Sequence, residues 1–253
     1  MIDIHSHILP GLDDGAETLE ASLAMLKIAA AGGTTDIVAT PHANTEFAFD
    51  PDVVAAKLAE LSAAAGDSIR IYTGCDFHLQ YENIQDALEH PTKYTINHKG
   101  YLLVEFSDLM IFNATGDIFY QLRSAGMVPV ITHPERNWLL QKRFESIQRW
   151  VMEGACLQVT GQSFLGRFGK HAREFADKLM RAGLVHFVAS DAHGAKDRTP
   201  DLREAFDYVT DRYGSTRAEQ LFVSNPRAAL EGKPLPAINT EDVQPRKWYQ
   251  FWA

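Results

Sequence analysis

The chain is poor in cysteine. Cys75 and Cys156 are the only two, and they form no C-x-x-C pair. A disulfide framework is excluded, and a reducing cytoplasm is the expected location. Positive charge is also in deficit: 24 basic residues face 33 acidic ones, for a formal charge of −9. Phosphate backbones are held by basic stripes, so a general grip on nucleic acid is not expected. Long apolar runs are missing. Lys27 interrupts the best candidate, near Ala21 to Ala31, and no membrane insertion is expected. The N-terminus lacks a secretory pattern, because Asp3 and His5 stand where an apolar stretch would be needed. There is no linker, low-complexity run or internal repeat, and one domain is the simplest reading.

What is present begins at once. Met1 to Ile4 alternates apolar and polar residues and runs into His5-Ser6-His7, a short strand delivering two imidazoles to its end. Residues two apart on a strand share a side, so His5 and His7 can address one ion. Pro10-Gly11 and Asp13-Asp14-Gly15 are turn chemistry that returns a carboxylate, expected to be Asp14, to the same place.

Further strands are predicted at Thr35 to Thr40, Ile69 to Thr73, Tyr101 to Phe106, Val128 to Thr132, Cys156 to Thr160 and Val185 to Ala189. Helices are predicted between and after them. The first is capped by Thr18 over Leu19 to Ala31, the second runs from Pro51 to about Ala64, and the last two cover about Leu202 to Tyr213 and Arg217 to Val223. Seven short, apolar strands alternating with helices predict an α/β fold with a parallel sheet, closed as a single TIM-like (β/α)7 barrel. Residues 1–232 form that barrel in this reading. Residues 233–253, broken by Pro234, Pro236 and Pro245 and ending in Trp248, Tyr249, Phe251 and Trp252, form a C-terminal extension, read as lying on the barrel or binding a partner.

The C-terminal ends of the predicted strands carry the chemistry. In chain order they offer His5 and His7, His42, Asp76, Glu105, His133, and then Asp191 with His193; only the sixth strand offers no strong ligand. In a parallel barrel those ends share one rim, where active sites sit. Imidazoles and carboxylates without thiolate suit manganese, iron, zinc or magnesium. With Asp14 the set exceeds the needs of one ion, so two or three are expected. His78, His90, His98, His171 and His186 fall elsewhere and read as structural or solvated.

These motifs carry a resemblance. The D-I-H-S-H opening, His42, H-P-E-R at His133 to Arg136, and S-D-A-H at Ser190 to His193 resemble the PHP (polymerase and histidinol phosphatase) superfamily. The D-D-G turn, L-V-E-F at Leu103 to Phe106, Arg198, and L-F-V-S-N-P-R at Leu221 to Arg227 are similar to its manganese-dependent protein-tyrosine phosphatases of bacterial capsule and exopolysaccharide operons. The likeness runs from Met1 to about Leu230. It implies a distorted seven-stranded barrel, the PHP fold, with a trinuclear site. His5, His7, Asp76 and Asp191 would hold one metal. Asp76, Glu105 and His133 would hold the second, and Asp14, His42 and His193 the third. The family pattern has Glu where this chain has Asp76, one methylene shorter.

The implied activity is hydrolysis of phosphotyrosine in a protein, the partner being a tyrosine autokinase of a polysaccharide export system. A water bridging two cations loses its proton near neutral pH and attacks phosphorus. Arg136 and Arg198 would hold the phosphoryl oxygens, and with Asp14 and His42 they complete the expected catalytic set. A cysteine route is disfavoured, since neither cysteine opens a C-x5-R loop. A subset of Phe47, Phe49, Phe77, Tyr81, Met110 and Phe112 is a candidate to flank the substrate ring. The rival readings are a small-molecule phosphatase of the histidinol-phosphate type, a nuclease, which the acidity disfavours, and a non-catalytic metal-binding regulatory barrel.

Overall fold

The structure is a computed structural model and describes residues 1–235. Of the C-terminal extension expected at residues 233–253, everything from Pro236 onward lies outside the described residues. The strands are β1 (Ile2–Ser6), β2 (Asp36–Ala39), β3 (His42–Ala43), β4 (Arg70–Thr73), β5 (Asp76–His78), β6 (Tyr101–Glu105), β7 (Val128–Thr132), β8 (Cys156–Thr160) and β9 (Phe187–Ala189). Every pairing between them is parallel.

The strands form a three-stranded sheet in the order β1-β2-β4 and a six-stranded sheet in the order β3-β5-β6-β7-β8-β9. The parallel α/β arrangement is the expected one, and its strands are divided between two ladders. The predicted second and third strands are found as β2 and β4; two unpredicted short strands, β3 and β5, follow just beyond their ends and belong to the other sheet. Pro41 follows β2 and has no N–H to extend that ladder; its carbonyl instead accepts from the Asp76 N–H at 3.1 Å. Gly74 follows β4, and a Cβ there would lie 2.8 Å from Val38 Cγ1, so the chains cross too closely for any side chain. At the other boundary β1 meets the chain beyond β9. Asp191 N donates to His5 O at 2.8 Å, His7 N donates to Ala192 O at 2.8 Å, and Ser6 bridges Ala192.

All positions of β1, β2, β8 and β9 are buried, as expected where both faces of a parallel sheet are covered. Ile2, Ile4, Val38, Leu103, Val130 and Phe187 pack together along the strands, and larger clusters join the strands to the helices. Thr18 Oγ1 caps the helix Leu19–Ala31 by accepting from Ala21 N at 3.2 Å. The expected helix Arg217 to Val223 is instead Ser215–Glu219, a widened π turn at Gln220–Ser224, and Asn225–Glu231. Pro226 lacks the N–H that would continue a regular ladder, and the turn before it widens. Among the described residues no helix is long and apolar enough to cross a membrane.

Candidate metal centre

Asp3 and His5 lie two apart in β1, and His7 follows just past its end. Asp3 anchors the strand: its Oδ2 accepts from Ser190 Oγ at 2.5 Å and its Oδ1 from Ser190 N at 2.9 Å. Burial pushes the Asp3 carboxyl up to about 6, against the Ser190 hydrogen bonds that pull it down. This contact fixes His5 beside Asp191. His5 Nδ1 pairs with Gln158 Oε1 of β8 at 3.1 Å, which turns Nε2 inward. That nitrogen lies 3.3 Å from His7 Nε2 and 3.4 Å from both Asp76 Oδ2 and Asp191 Oδ1. His7 is held from behind in the same way, its Nδ1 donating to Asp13 Oδ2 at 2.7 Å. Asp13 Oδ2 also accepts from His42 N at 3.1 Å. The turn that brings Asp13 there needs Gly15, because a Cβ would fall 2.1 Å from His7 O.

Four overlapping groups of ligand atoms gather within 4.8 Å: His7 with Asp14, His42 and His193; His5 with His7 and Asp76; His5 with His133 and Asp191; and His42 with Asp76 and Glu105. All the predicted ligands therefore lie in one basin. The grouping differs in detail from the implied one. Glu105 faces His42 at 3.5 Å more closely than His133 at 3.7 Å, and His133 joins His5 and Asp191. The shorter Asp76 still faces two groups, its Oδ2 standing 3.4 Å from both His5 Nε2 and His42 Nδ1. Two of the expected ligands sit on left-handed backbone without being glycine, His133 at φ 32° and Asp191 at φ 50°. Such strain gathers at functional sites and persists only where the surroundings enforce it.

Both carboxylate oxygens of Asp76, and Nδ1 of His42, are buried without a hydrogen-bond partner. A buried ionised carboxylate left unpaired is costly; a cation among these atoms would satisfy it, so the donor set fits divalent metal. Burial pushes the Asp76 carboxyl up, but the imidazoles of His5, His42 and His133 pull it below the ordinary carboxylate range. Burial works to lower His5 and His7, but Asp76 and Asp191 raise His5, and Asp13 and Asp191 raise His7 to about 10. Burial and the Arg136 charge lower His133 to about 3.

Arg136 Nη1 and Arg198 Nη2 both donate to Asp191 Oδ2, the latter at 2.6 Å. The guanidinium of Arg136 also stacks 4.4 Å over the Phe168 ring. The two arginines expected around a phosphoryl group thus converge on one ligand carboxylate. A cleft of about 550 Å³ lined by Gly15, Thr18, His193, Lys196 and Arg198 opens beside them. The ring-flanking expectation is corrected in part. Phe77 is fully buried in the core, and Phe49 packs against Tyr94 at 5.1 Å. Phe47 stacks on His42 at 6.0 Å.

Sequence reasoning missed four residues of this basin. His78, read as structural or solvated, has Nδ1 3.5 Å from Glu105 Oε2. Asp3 shares the strand parity of His5 and His7, a signal that points to it. Gln158 is the one amide in the apolar run of β8, so the strand without a ligand supplies a ligand's support. Asp13 has no such signal, since spacing does not separate it from Asp14.

The profile of the CpsB/CapC family, described as capsular polysaccharide synthesis, matches residues 1–231. The chain is 32% identical to the tyrosine-protein phosphatase YwqE of Bacillus subtilis (strain 168), covering all of both chains. It is 30% identical to the tyrosine-protein phosphatase CpsB of Streptococcus pneumoniae, over 91% of this chain and 98% of that one. A solved structure from a study of YwqE and CpsB, described there as unique metal-dependent tyrosine phosphatases, superposes with a TM-score of 0.88 at 32% identity, over 98% of this chain and 100% of that one. A lactonase from Listeria monocytogenes shares the fold at a TM-score of 0.59 and 14% identity.

Proposed function

The chain belongs to the CpsB/CapC family of capsular polysaccharide synthesis, and on that premise we propose that it is a metal-dependent protein-tyrosine phosphatase. It removes phosphate from tyrosine in a cytoplasmic protein, for which we take a tyrosine autokinase of the export system. Manganese is the expected ion, in two or three sites. The observation that carries the reading is the pair of buried, partnerless oxygens on Asp76 amid imidazoles. The names borne by YwqE and CpsB support the substrate class. The parallel strands, and the bridge joining β1 to the chain beyond β9, support one distorted (β/α)7 barrel of the PHP type. We place the catalytic unit at residues 1–232, with 233–253 appended.

His5, His7, Asp76 and Asp191 would hold one ion, Asp76, Glu105 and His133 a second, and Asp14, His42 and His193 a third. Divalent ions supply Lewis acidity and lower the pKa of water toward neutrality. The chain's own residues do the rest. Asp13 and Gln158 hold His7 and His5 so that each presents Nε2 inward. Arg136 and Arg198, now on Asp191, turn to the phosphoryl oxygens when substrate arrives and match their charge. Asp14, the most exposed of the ligand acids at 52%, and His42 beside it are where we place proton exchange with the leaving phenolate. The test is turnover of p-nitrophenyl phosphate with added manganese, followed by phosphotyrosine against phosphoserine peptides. Activity lost with chelator and in His133→Ala, and a preference for phosphotyrosine, are the expected results. A fully metallated protein without turnover overturns the reading, and equal peptide rates remove the tyrosine specificity.

A further inference from the structure

The ions and arginines address a phosphoryl group, and any small phosphomonoester offers one. A protein phosphatase also needs a surface for the chain on either side of the phosphorylated residue. One sector of the rim has the character of such a surface. Strands β5, β6 and β7 are neighbours in the six-stranded sheet, and the segments that follow them expose large apolar side chains. Tyr81 is 68% exposed after β5, Leu109 and Met110 are 90% and 56% exposed after β6, and Trp138 is 51% exposed after β7.

These side chains sit on braced backbone. Asn137 Nδ2 donates to Phe106 O, Ser107 O and Asp108 Oδ1 at 3.3, 3.1 and 3.1 Å, and Trp138 Nε1 donates to Asp108 O at 3.1 Å. Asn83 Nδ2 bonds His78 O and Ala43 O, at 3.1 and 2.7 Å, and braces the segment after β5. The braced loops join the candidate centre directly. Leu109 and Met110 follow Glu105 by four and five residues, and Asn137 and Trp138 follow Arg136. Exposed apolar groups gathered in one place mark binding surfaces, whereas scattered ones are ordinary. Holding them on braced loops lowers the ordering cost of binding.

We propose that Leu109, Met110 and Trp138 form a docking ridge for apolar residues flanking the phosphotyrosine of a protein substrate. This rests on the phosphatase reading above. The ridge offers carbon surface, with Lys142 Nζ 4.2 Å over one face of the Trp138 ring, and a chain of net charge −9 repels acidic flanks at long range, so the partner's contribution is apolar and not acidic. The ridge selects among phosphoproteins and leaves the chemistry at the metals untouched.

The experiment compares the wild-type chain, loaded with manganese, with Leu109→Ser/Trp138→Ser. The substrates are p-nitrophenyl phosphate, a phosphotyrosine peptide with leucine or valine flanks, and the same peptide with serine flanks. Both substituted side chains are exposed, so the fold is retained. For the apolar peptide KM is expected to rise roughly five- to thirtyfold at constant kcat, as losing burial of two apolar side chains implies. The serine-flanked peptide and p-nitrophenyl phosphate keep their constants. Equal KM for the two peptides in the wild type overturns the ridge, as does an equal loss on all substrates. Sedimentation showing that the double substitution only dissolves a dimer, with peptide kinetics unchanged, assigns the ridge to a second copy and also overturns it. A wild-type protein inactive on p-nitrophenyl phosphate fails the phosphatase reading itself, a separate outcome.

Discussion

Asp36 and Asp76 are both fully buried aspartates that open parallel strands, and their surroundings are opposite. Asp36 opens β2, at the end away from the ligand rim. Its Oδ1 accepts from Arg70 Nε, Tyr72 OH and Arg227 Nη1, and its Oδ2 from Arg70 Nη2, Arg227 Nη2 and Thr35 Oγ1. Asp76 has no hydrogen-bond partner on either oxygen. A satisfied buried acid ties elements together, whereas an unsatisfied one destabilises the chain until something fills the gap. In parallel α/β folds stability concentrates at the N-terminal ends of the strands and chemistry at the C-terminal ends. Asp36 stands at the start of β2 and Asp76 just beyond the end of its neighbour β4, so the two show that division within one protein.

The comparison breaks most sharply at Asp76→Asn. Activity with manganese is expected to fall by at least about a thousandfold, several kcal/mol of transition-state stabilisation, and elemental analysis should show lost metal. Thermal unfolding of the metal-free protein should change less than it does in Asp36→Asn. Near-normal turnover would mean that the unpaired oxygens are incidental.

The next effect tests the shell behind the ligands. Asp13→Ala removes the partner of His7 Nδ1 and of His42 N, and manganese affinity is expected to fall about 10- to 100-fold. Titration calorimetry reads this, with circular dichroism as the check on folding. Unchanged affinity would show that strand geometry alone orients His7.

How far this division was legible in the sequence differs between the two ends. The end that gathers the candidate ligands is readable because each follows an apolar run, so position selects His5, His7, Asp76, Glu105 and Asp191 from among many acids and histidines. The opposite end is not readable. Arg70 and Arg227 look like surface charges, and only the tertiary fold brings Arg227 back to a strand lying 191 residues earlier in the chain. The same limit applies to Gln158, whose use depends on β8 standing across from β1. Helix bounds near Thr18 and Pro51 follow from local capping and are found where expected. The exchange of partners at Pro41 and Gly74 is not local: it arises from two chains crossing, which no single-strand pattern encodes.

Asp36→Asn supplies the converse of the first prediction. Replacing the carboxylate weakens charge-assisted bonds to two arginines and should cost about 2 kcal/mol of stability, with phosphatase activity intact. Denaturant midpoints and p-nitrophenyl phosphate turnover measure the two halves. Lost activity in a folded variant would deny that the two ends are separable.

The smallest effect is the pH dependence of that difference. Burial raises the Asp36 carboxyl, but the bonds from Arg70 and Arg227 outweigh it and hold the group below the ordinary carboxylate range. A depressed folded-state pKa contributes stability that is fully present above the unfolded value, about 3.9 for aspartate, and is lost as pH falls toward the folded value. The gap in denaturant midpoint between wild type and Asp36→Asn should therefore be constant from neutrality to about pH 5 and shrink below about pH 4. Other carboxylates titrate there as well, but they do so in both proteins and drop out of the difference. A gap that stays constant down to pH 3 would mean that packing around the side chain, rather than the charge, holds this end of the strands together.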